Sequence, residues 1–588
     1  MEVTRLFDIL DYRKQVWEGR DVFTYKKDGV WVGHGVDEYM TRSNQISYAL
    51  LHLGLQRNEC VALISSGRPE WNYIDMGTQR AGGVLLPIYP TISEDDYQYI
   101  LGNSDVRFLI LESESLLRKI NNVLPKLPQI EHIFTINPCE QYPSIESLYQ
   151  MGAEFPAAEQ VAAICESIRP SDMATMIYTS GTTGQPKGVM LTHEGILSNV
   201  MGIKESPAKH WDTSLSWMPL CHIYERMMNY LYQYLGFNTY YAESVGKVAD
   251  DAKEARPYIM AAVPRFIEKI YDKIYRKGEK LTGIKKRVFD WALELGFNYD
   301  VDESKLSAWF KLQRKVADLL VYKDIKKSLG GRLDMLVSGG AAIQPRLARF
   351  FSCVGLNLFE GYGLTECSPL VAVTNSDKKG RRIGSVGFPL AGLEVRINPD
   401  NNEVQCRGVN VMKGYYKSPE LTAEAIDADG WFHTGDTGYF DNDGYLFLTG
   451  RTKNMFKTSM GKFVNPEVIE EKFKTSAFVL DMMVVGEGQK FAAAVVAPDF
   501  DMLKDWCKRH GVKASTREEM VADKVVVARY QKVMDKYNAM LGNTEQVKRF
   551  YLTVETWSVE NKMLTPTLKI RRNVISEHYK SQIEDMFK

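Results

Sequence analysis

Between Tyr178 and Val189 the chain reads Tyr-Thr-Ser-Gly-Thr-Thr-Gly-Gln-Pro-Lys-Gly-Val, the stretch whose residue types and spacing point most directly to chemistry. Gly181 and Gly184 let backbone N–H groups come close to an anion, Thr179, Ser180, Thr182 and Thr183 add hydroxyl donors, and Lys187 adds a cation. Together they make a grip for phosphate. The loop is not of the Walker type, which needs Gly where Pro186 stands and Ser or Thr where Gly188 stands. A plain polar turn between two strands is the alternative for these residues, and the density of donors favours the grip.

Further motifs follow in order: Ser338-Gly-Gly-Ala-Ala342, Glu360-Gly-Tyr-Gly-Leu-Thr-Glu366, Trp431-Phe-His-Thr-Gly-Asp436, Gly450-Arg-Thr-Lys-Asn454 and Leu564-Thr-Pro-Thr-Leu-Lys569. With the phosphate loop they resemble the signatures of the adenylate-forming superfamily, which contains acyl-CoA synthetases, firefly luciferase and the adenylation domains of peptide synthetases. The resemblance spans about Val22 to Arg572 and implies roles residue by residue. Thr179 to Lys187 would hold the β- and γ-phosphates of ATP, and Gly339, Gly340 and Ala341 would form the adenine-pocket turn. Glu360, Gly361, Tyr362, Gly363 and Thr365 would continue the ATP site, with the Tyr362 ring offered to adenine. Thr182 and Glu366 would ligate Mg²⁺, whose preference for oxygen suits them. Asp436 would accept from the ribose hydroxyls, and Arg451 would reach ribose or phosphate. Lys453 would be a hinge, Lys457 and Gly461 would border the coenzyme A tunnel, and Lys569 would be the catalytic cation. Two positions depart from the common pattern: Asn454 where Asp is frequent, and Leu568 where Gly usually precedes the lysine.

Pro219-Leu-Cys-His-Ile-Tyr-Glu-Arg226 and Val263-Pro-Arg-Phe266 resemble the long-chain fatty acyl-CoA synthetase branch. There His222 and Tyr224 would border the acyl chain; a core histidine satisfied by a backbone carbonyl is the alternative for His222. The implied activity is AMP-forming ligation of a medium- to long-chain fatty acid to coenzyme A, with ATP and Mg²⁺. An acyl-AMP ligase serving a carrier protein, a short-chain or aryl acid CoA ligase, and a catalytically silent lipid-binding scaffold remain as alternatives.

These residues must be positioned by a large scaffold. From Asp37 to Leu111 helical and strand-like apolar patterns alternate, which is how a helix-covered parallel sheet reads. Helical periodicity dominates from about 263 to 330, as an insertion in the larger lobe. Short alternating strands with turn signals follow Gly384. The expected class is α/β with an α+β C-terminal part: an N-terminal domain over 1–452 and a small mobile domain over 453–588, with strand candidates Phe478–Val485 and Ala492–Ala497.

The composition fits such an enzyme. Over 588 residues, 73 Lys+Arg stand against 74 Asp+Glu, so no global field would hold nucleic acid, and nucleic acid is excluded as a partner. The eight cysteines are dispersed without a C-x-x-C pair, so a cytoplasmic location is expected. No signal peptide or membrane span is legible. Between Arg265 and Arg287, nine basic residues face three acidic ones beside an apolar stripe, which would suit peripheral contact with the inner membrane surface. A core-packed helix with a solvated basic face explains the same pattern, and oligomeric state stays open.

Overall fold

The computed structural model describes residues 2–179, 185–203, 212–375, 381–459, 462–565 and 569–588, apart from the side chains of Lys453 and Phe463. The chain divides into two compact units. One comprises Met1–Arg396, Gln405–His433 and Asn442–Leu446, the other Ile397–Val404, Thr434–Asp441 and Phe447–Lys588.

Two sheets organise the first unit. The apolar runs Cys60–Ile64, Val84–Ile88 and Phe108–Leu111 are buried throughout, as strands covered on both faces must be. They lie in a seven-stranded sheet, ordered Gly414–Tyr415, Lys187–Thr192, Met173–Thr179, Val84–Ile88, Cys60–Ile64, Phe108–Leu111, His132–Thr135. The last five strands are parallel, joined in part by the crossover helices Pro69–Arg80 and Glu94–Asn103. The second sheet has nine strands, with Asn357–Gly363, Met335–Ser338, Ile259–Ala262, Thr213–Ser216, Asn238–Tyr241 and Asp21–Lys27 running parallel at its centre. Both agree with the parallel-sheet expectation.

The insertion is helical, with helices Pro264–Glu279, Gly283–Phe297 and Ala308–Ala317. In the first, Ile267, Ile270, Tyr271 and Ile274 are buried in one core with Phe289, Leu293 and Phe350. The stripe Ile267, Ile270, Tyr271 and Ile274, which would have met a membrane, is thus consumed by the core, while Lys269, Lys273 and Lys277 are exposed on the opposite side and Ile284 on the next helix is exposed as well. Gly278 permits this packing, because a Cβ there would stand 1.9 Å from the Phe289 ring.

In the second unit, Val479–Val485 pairs antiparallel with Ala492–Pro498, which pairs parallel with Val547–Leu552. Ala492, Ala494 and Val496 enter one core cluster while Ala493, Val495 and Ala497 enter another, the period-two alternation of a strand covered on both faces. The third strand escapes sequence reading because Lys548 and Arg549, exposed in its middle, break the apolar pattern, as edge strands often do. The helix Pro419–Ala425 is likewise absent from the strand-rich reading after Gly384. Among the described residues no helix is long and apolar enough to cross a membrane.

Candidate active site

Parallel strands that end together bring the residues following them to one edge of the sheet, where ligands of open α/β sheets bind. Here Ala262 lies beside Ser338 and Ser338 beside Glu360, so Val263-Pro-Arg-Phe266, the Gly339-Gly340 turn and the Glu360 to Glu366 motif emerge as neighbours. The strand Thr213–Ser216, next in order, delivers Trp217 and the Pro219 to Arg226 motif to the same edge. Motifs more than a hundred residues apart in sequence thus share one rim.

Tyr224 fastens two of them. Its ring lies against Gly339, where a Cβ would approach to 3.1 Å, and its hydroxyl donates to the Val337 carbonyl at 2.9 Å. Any larger residue at 339 would push the ring away. The turn then surfaces at Gly340, whose φ of +82° favours glycine, and Ala341 is exposed beside it. His222 is half-buried and caps the helix Ile223–Tyr234, its Nδ1 accepting from the Tyr224 N–H at 3.2 Å. That bond requires Nδ1 to be the unprotonated nitrogen.

Trp217 escaped the motif reading, which began at Pro219. Its indole N–H donates to the Ala261 carbonyl at 2.7 Å, and its ring lies 4.6 Å from that of Phe266. The available signal was a tryptophan immediately after an apolar strand. Behind it Glu225 is fully buried, accepting from the Ser216 hydroxyl at 2.5 Å. Burial pushes its carboxyl from the ordinary 4.5 up to about 8.

That shift predicts a pH trend. In the unfolded chain Glu225 ionises near pH 4.5 while in the folded chain it stays protonated to about 8, so its contribution to stability is lost as pH rises between those values. Glu225→Gln, which keeps the neutral shape, should melt progressively higher than the parent chain across this window. The advantage should grow by at most about 1.4 kcal/mol per pH unit and level off above it. Thermal midpoints from pH 4 to 9 check this; a constant difference contradicts it.

The phosphate-loop residues are approached from the other sheet. Thr179 and Lys187 are cross-strand partners in an antiparallel pair, so the loop joins two strands, as both readings of it require. Ser180, Gly181, Thr182, Thr183 and Gly184 lie outside the described residues, as does Gly461. Lys187 Nζ sits 5.0 Å from the centre of the Tyr415 ring, and the Tyr415 hydroxyl donates to Glu366 Oε1 at 2.9 Å. Tyr415 therefore links Lys187, at the base of the loop expected to grip phosphate, to the carboxylate expected to ligate the metal. Burial and the Glu366 charge keep its phenol protonated, well above the ordinary tyrosine range.

Sequence reasoning missed Tyr415; its signal was an aromatic pair, Tyr415-Tyr416, after a glycine. Gly414 has φ +142° and no room for a Cβ, which would meet Thr422 Cγ2 at 2.7 Å, and the Thr422 hydroxyl accepts from the Tyr415 N–H at 2.9 Å. Glu366 itself sits on the turn Thr365–Cys367. Tyr362 is almost wholly buried in the strand Asn357–Gly363, Gly361 faces Leu370, and Gly363 packs onto the Pro369 carbonyl, which a Cβ would approach to 1.9 Å. Burial pushes Glu360 up to about 8. Tyr415→Phe should lower kcat/KM for ATP about tenfold through loss of a hydrogen bond to a charged group, leaving the melting temperature within a few degrees. An unchanged kcat/KM would contradict the link.

In the second unit Asp436 and Arg451 pair with each other, Nε to Oδ1 at 2.8 Å, and Gly435 before the aspartate has φ +71°. Lys453 lies on the short turn Thr452–Asn454, whose Asn454 donates to Glu467 Oε1 at 2.6 Å. Lys457 is exposed on the strand Phe456–Lys457. Lys569 is exposed, and its backbone is bonded twice to Thr565: the Thr565 N–H donates to the Lys569 carbonyl at 2.7 Å, and the Lys569 N–H to the Thr565 hydroxyl at 3.1 Å. The neighbouring Arg572 is held by Glu470 at 2.5 Å.

The donor chemistry fits Mg²⁺, an ion that keeps most of its waters and takes one or two carboxylates from protein. Glu366 would supply one, and no group of three metal-ligating side chains occurs among the described residues.

The chain is similar to known proteins over nearly its whole length. The chain is 31% identical to the peroxisomal long chain acyl-CoA synthetase 6 of Arabidopsis thaliana, covering 95% of this chain and 82% of that one. It is 29% identical to the long-chain-fatty-acid–CoA ligase FadD15 of Mycobacterium bovis, covering 95% and 93%. Among solved structures, the anthranilate CoA ligase AuaEII with anthranoyl-AMP superposes with TM-score 0.74 at 19% identity over 99% and 98% of the two chains. ATP-bound MatB from Rhodopseudomonas palustris does so with TM-score 0.71 at 21% identity, over the whole of both. Residues 13–416 match the AMP-binding enzyme family and residues 454–588 the AMP-binding enzyme C-terminal domain, and the chain belongs to that family of AMP-binding enzymes.

Proposed function

We propose that this chain ligates medium- to long-chain fatty acids to coenzyme A through an acyl-adenylate, consuming ATP and releasing AMP and pyrophosphate. The observation that carries the proposal is the chain of contacts from Lys187 through Tyr415 to Glu366, which ties a phosphate loop to a carboxylate beside the converging strand ends. The names of its relatives support the long acyl chain and the coenzyme A acceptor.

A free carboxylate has no leaving group that a thiol can displace, so activation must come first. One carboxylate oxygen attacks the α-phosphorus of ATP, the bond from that phosphorus to the bridging oxygen breaks, and pyrophosphate departs. Thr179 to Lys187 hold the β- and γ-phosphates, with Gly339, Gly340, Ala341 and Tyr362 around adenine and Asp436 with Arg451 at the ribose. Thr182 and Glu366 would hold Mg²⁺, which would supply charge to neutralise the phosphates. Lys569 stabilises the charge that develops at the α-phosphate. In the second step the coenzyme A thiol attacks the acyl carbon, and AMP leaves as the carbon–oxygen bond breaks. Rotation about Lys453 withdraws Lys569 between the steps and brings Lys457 and Gly461 to the pantetheine path. Dispersed cysteines suit work in a reducing cytoplasm.

The test is a panel of acids from acetate to oleate, with MgATP and with or without coenzyme A, quantifying pyrophosphate, AMP and acyl-CoA. A long-chain optimum with acyl-CoA only when coenzyme A is added is the expected result. An optimum at acetate or benzoate, or pyrophosphate without acyl-CoA, would overturn the substrate or the acceptor respectively.

A further inference from the structure

The helix Ala308–Ala317 continues through the π turn Asp318–Tyr322, and one face of this run is apolar and turned to solvent. Trp309 is 67% exposed, Leu312 52%, Val316 42%, Leu319 72% and Leu320 54%. Steps of three, four, three and one residue put all five on a single stripe about 100° wide. The run is not a frayed segment. Its other face is anchored: Ala317 and Tyr322 are fully buried, the Tyr322 hydroxyl donates to the Ala292 carbonyl at 2.6 Å, Gln313 accepts from Trp291 at 3.1 Å, and Arg314 donates to the Cys353 carbonyl at 3.0 Å. A rigid helix that shows five large apolar side chains to water is a contact surface rather than a core face.

Charge indicates what it contacts. Between 308 and 327 there are six Lys or Arg and two Asp, and the two aspartates are already occupied, Asp318 with Lys326 at 2.7 Å and Asp324 with Lys327 at 3.7 Å. Lys311, Lys315 and Lys323 are exposed around the stripe. An apolar stripe carrying a tryptophan and bordered by lysines matches the boundary of an anionic bilayer, where acyl chains take the apolar face and headgroups the ammonium groups. A protein partner would need a matching acidic groove, and a second copy of this chain would set the lysines of one stripe against those of the other.

We propose that the stripe Trp309, Leu312, Val316, Leu319 and Leu320, with Lys311, Lys315 and Lys323, docks this protein peripherally on anionic lipid. The contact lies on this helix and not on the stretch 265–287, whose apolar face the core consumes. It is independent of the catalytic reading, since lipid binding can succeed or fail whatever reaction the site performs.

The test is co-sedimentation with phosphatidylcholine vesicles, with and without phosphatidylglycerol, at low and high salt. The parent chain should bind only the anionic vesicles and release at high salt. L312E/L319E/L320E should weaken that binding by about tenfold or more, while its turnover of a short, water-soluble fatty acid and its melting temperature stay unchanged. K311E/K315E, which touches no apolar contact, should weaken binding too and serves if the triple variant fails to fold. Absence of binding by the parent chain, or equal binding by both variants, overturns the proposal. So does a parent chain that is dimeric by light scattering and becomes monomeric on L312E/L319E/L320E substitution, which would assign the stripe to self-association.

Discussion

Lys569→Ala should slow acyl-adenylate formation by about 10²–10³-fold and leave thioester formation from supplied acyl-adenylate near its normal rate. The first step places a new negative oxygen against an already anionic α-phosphate, and one positioned ammonium offsets that charge. In the second step a thiolate attacks an already activated carbonyl, where this lysine has no charge to offset. Lys569 is exposed and the two bonds it makes with Thr565 use its backbone, so its truncation leaves them in place and removes the charge. Lys569→Arg should recover part of the loss. The two half-reactions are read separately, as ATP–pyrophosphate exchange and as acyl-CoA made from synthetic acyl-adenylate; equal loss in both would remove Lys569 from its role.

Arg226→Met should be the most damaging single substitution for stability. Arg226 is buried, with Asp75 at 2.5 Å, Thr175 at 2.6 Å and the Tyr230 hydroxyl at 2.9 Å as its partners. Asp75 also accepts from Tyr230 and from Gln79, at 2.5 and 2.7 Å. The network joins the helix Pro69–Arg80 and the strand Met173–Thr179 to the helix Ile223–Tyr234, which His222 caps. Removing the arginine leaves the Asp75 charge buried without its counter-ion, a loss of about 3–5 kcal/mol. Asp75→Asn with Arg226→Met removes both charges and should recover most of the melting temperature. If the double variant is no more stable than Arg226→Met, the cost lies in packing and not in the orphaned charge.

Much of the proposed site can be named from the sequence because phosphate binding uses small and hydroxylic residues at fixed spacing, and such runs as Thr179 to Lys187 or Glu360 to Glu366 stay contiguous whatever the fold. Parallel strands were legible for a related reason: burial on both faces makes Val61 to Ile64 and Phe108 to Leu111 uniformly apolar. What the sequence hid were contacts between distant segments. Tyr415 is an ordinary aromatic until folding sets it between Lys187 and Glu366. Trp217 likewise gains meaning only beside Ala261 and Phe266. His222 shows the converse, for a histidine in a motif turned out to cap the helix that carries the motif. The membrane question shows why periodicity alone is ambiguous: the stripe at Ile267 to Ile274 and the stripe at Trp309 to Leu320 have the same helical spacing, and only packing tells which is buried.

The central claim is that the fatty acid carboxylate itself attacks the α-phosphorus of ATP. It is tested most directly by supplying fatty acid labelled with ¹⁸O in both carboxyl oxygens, together with MgATP and coenzyme A, and examining the products by mass spectrometry. The account predicts one labelled oxygen in the phosphate of AMP and the other retained in the thioester, with pyrophosphate unlabelled. Label in inorganic phosphate alongside ADP, or AMP free of label, would contradict it.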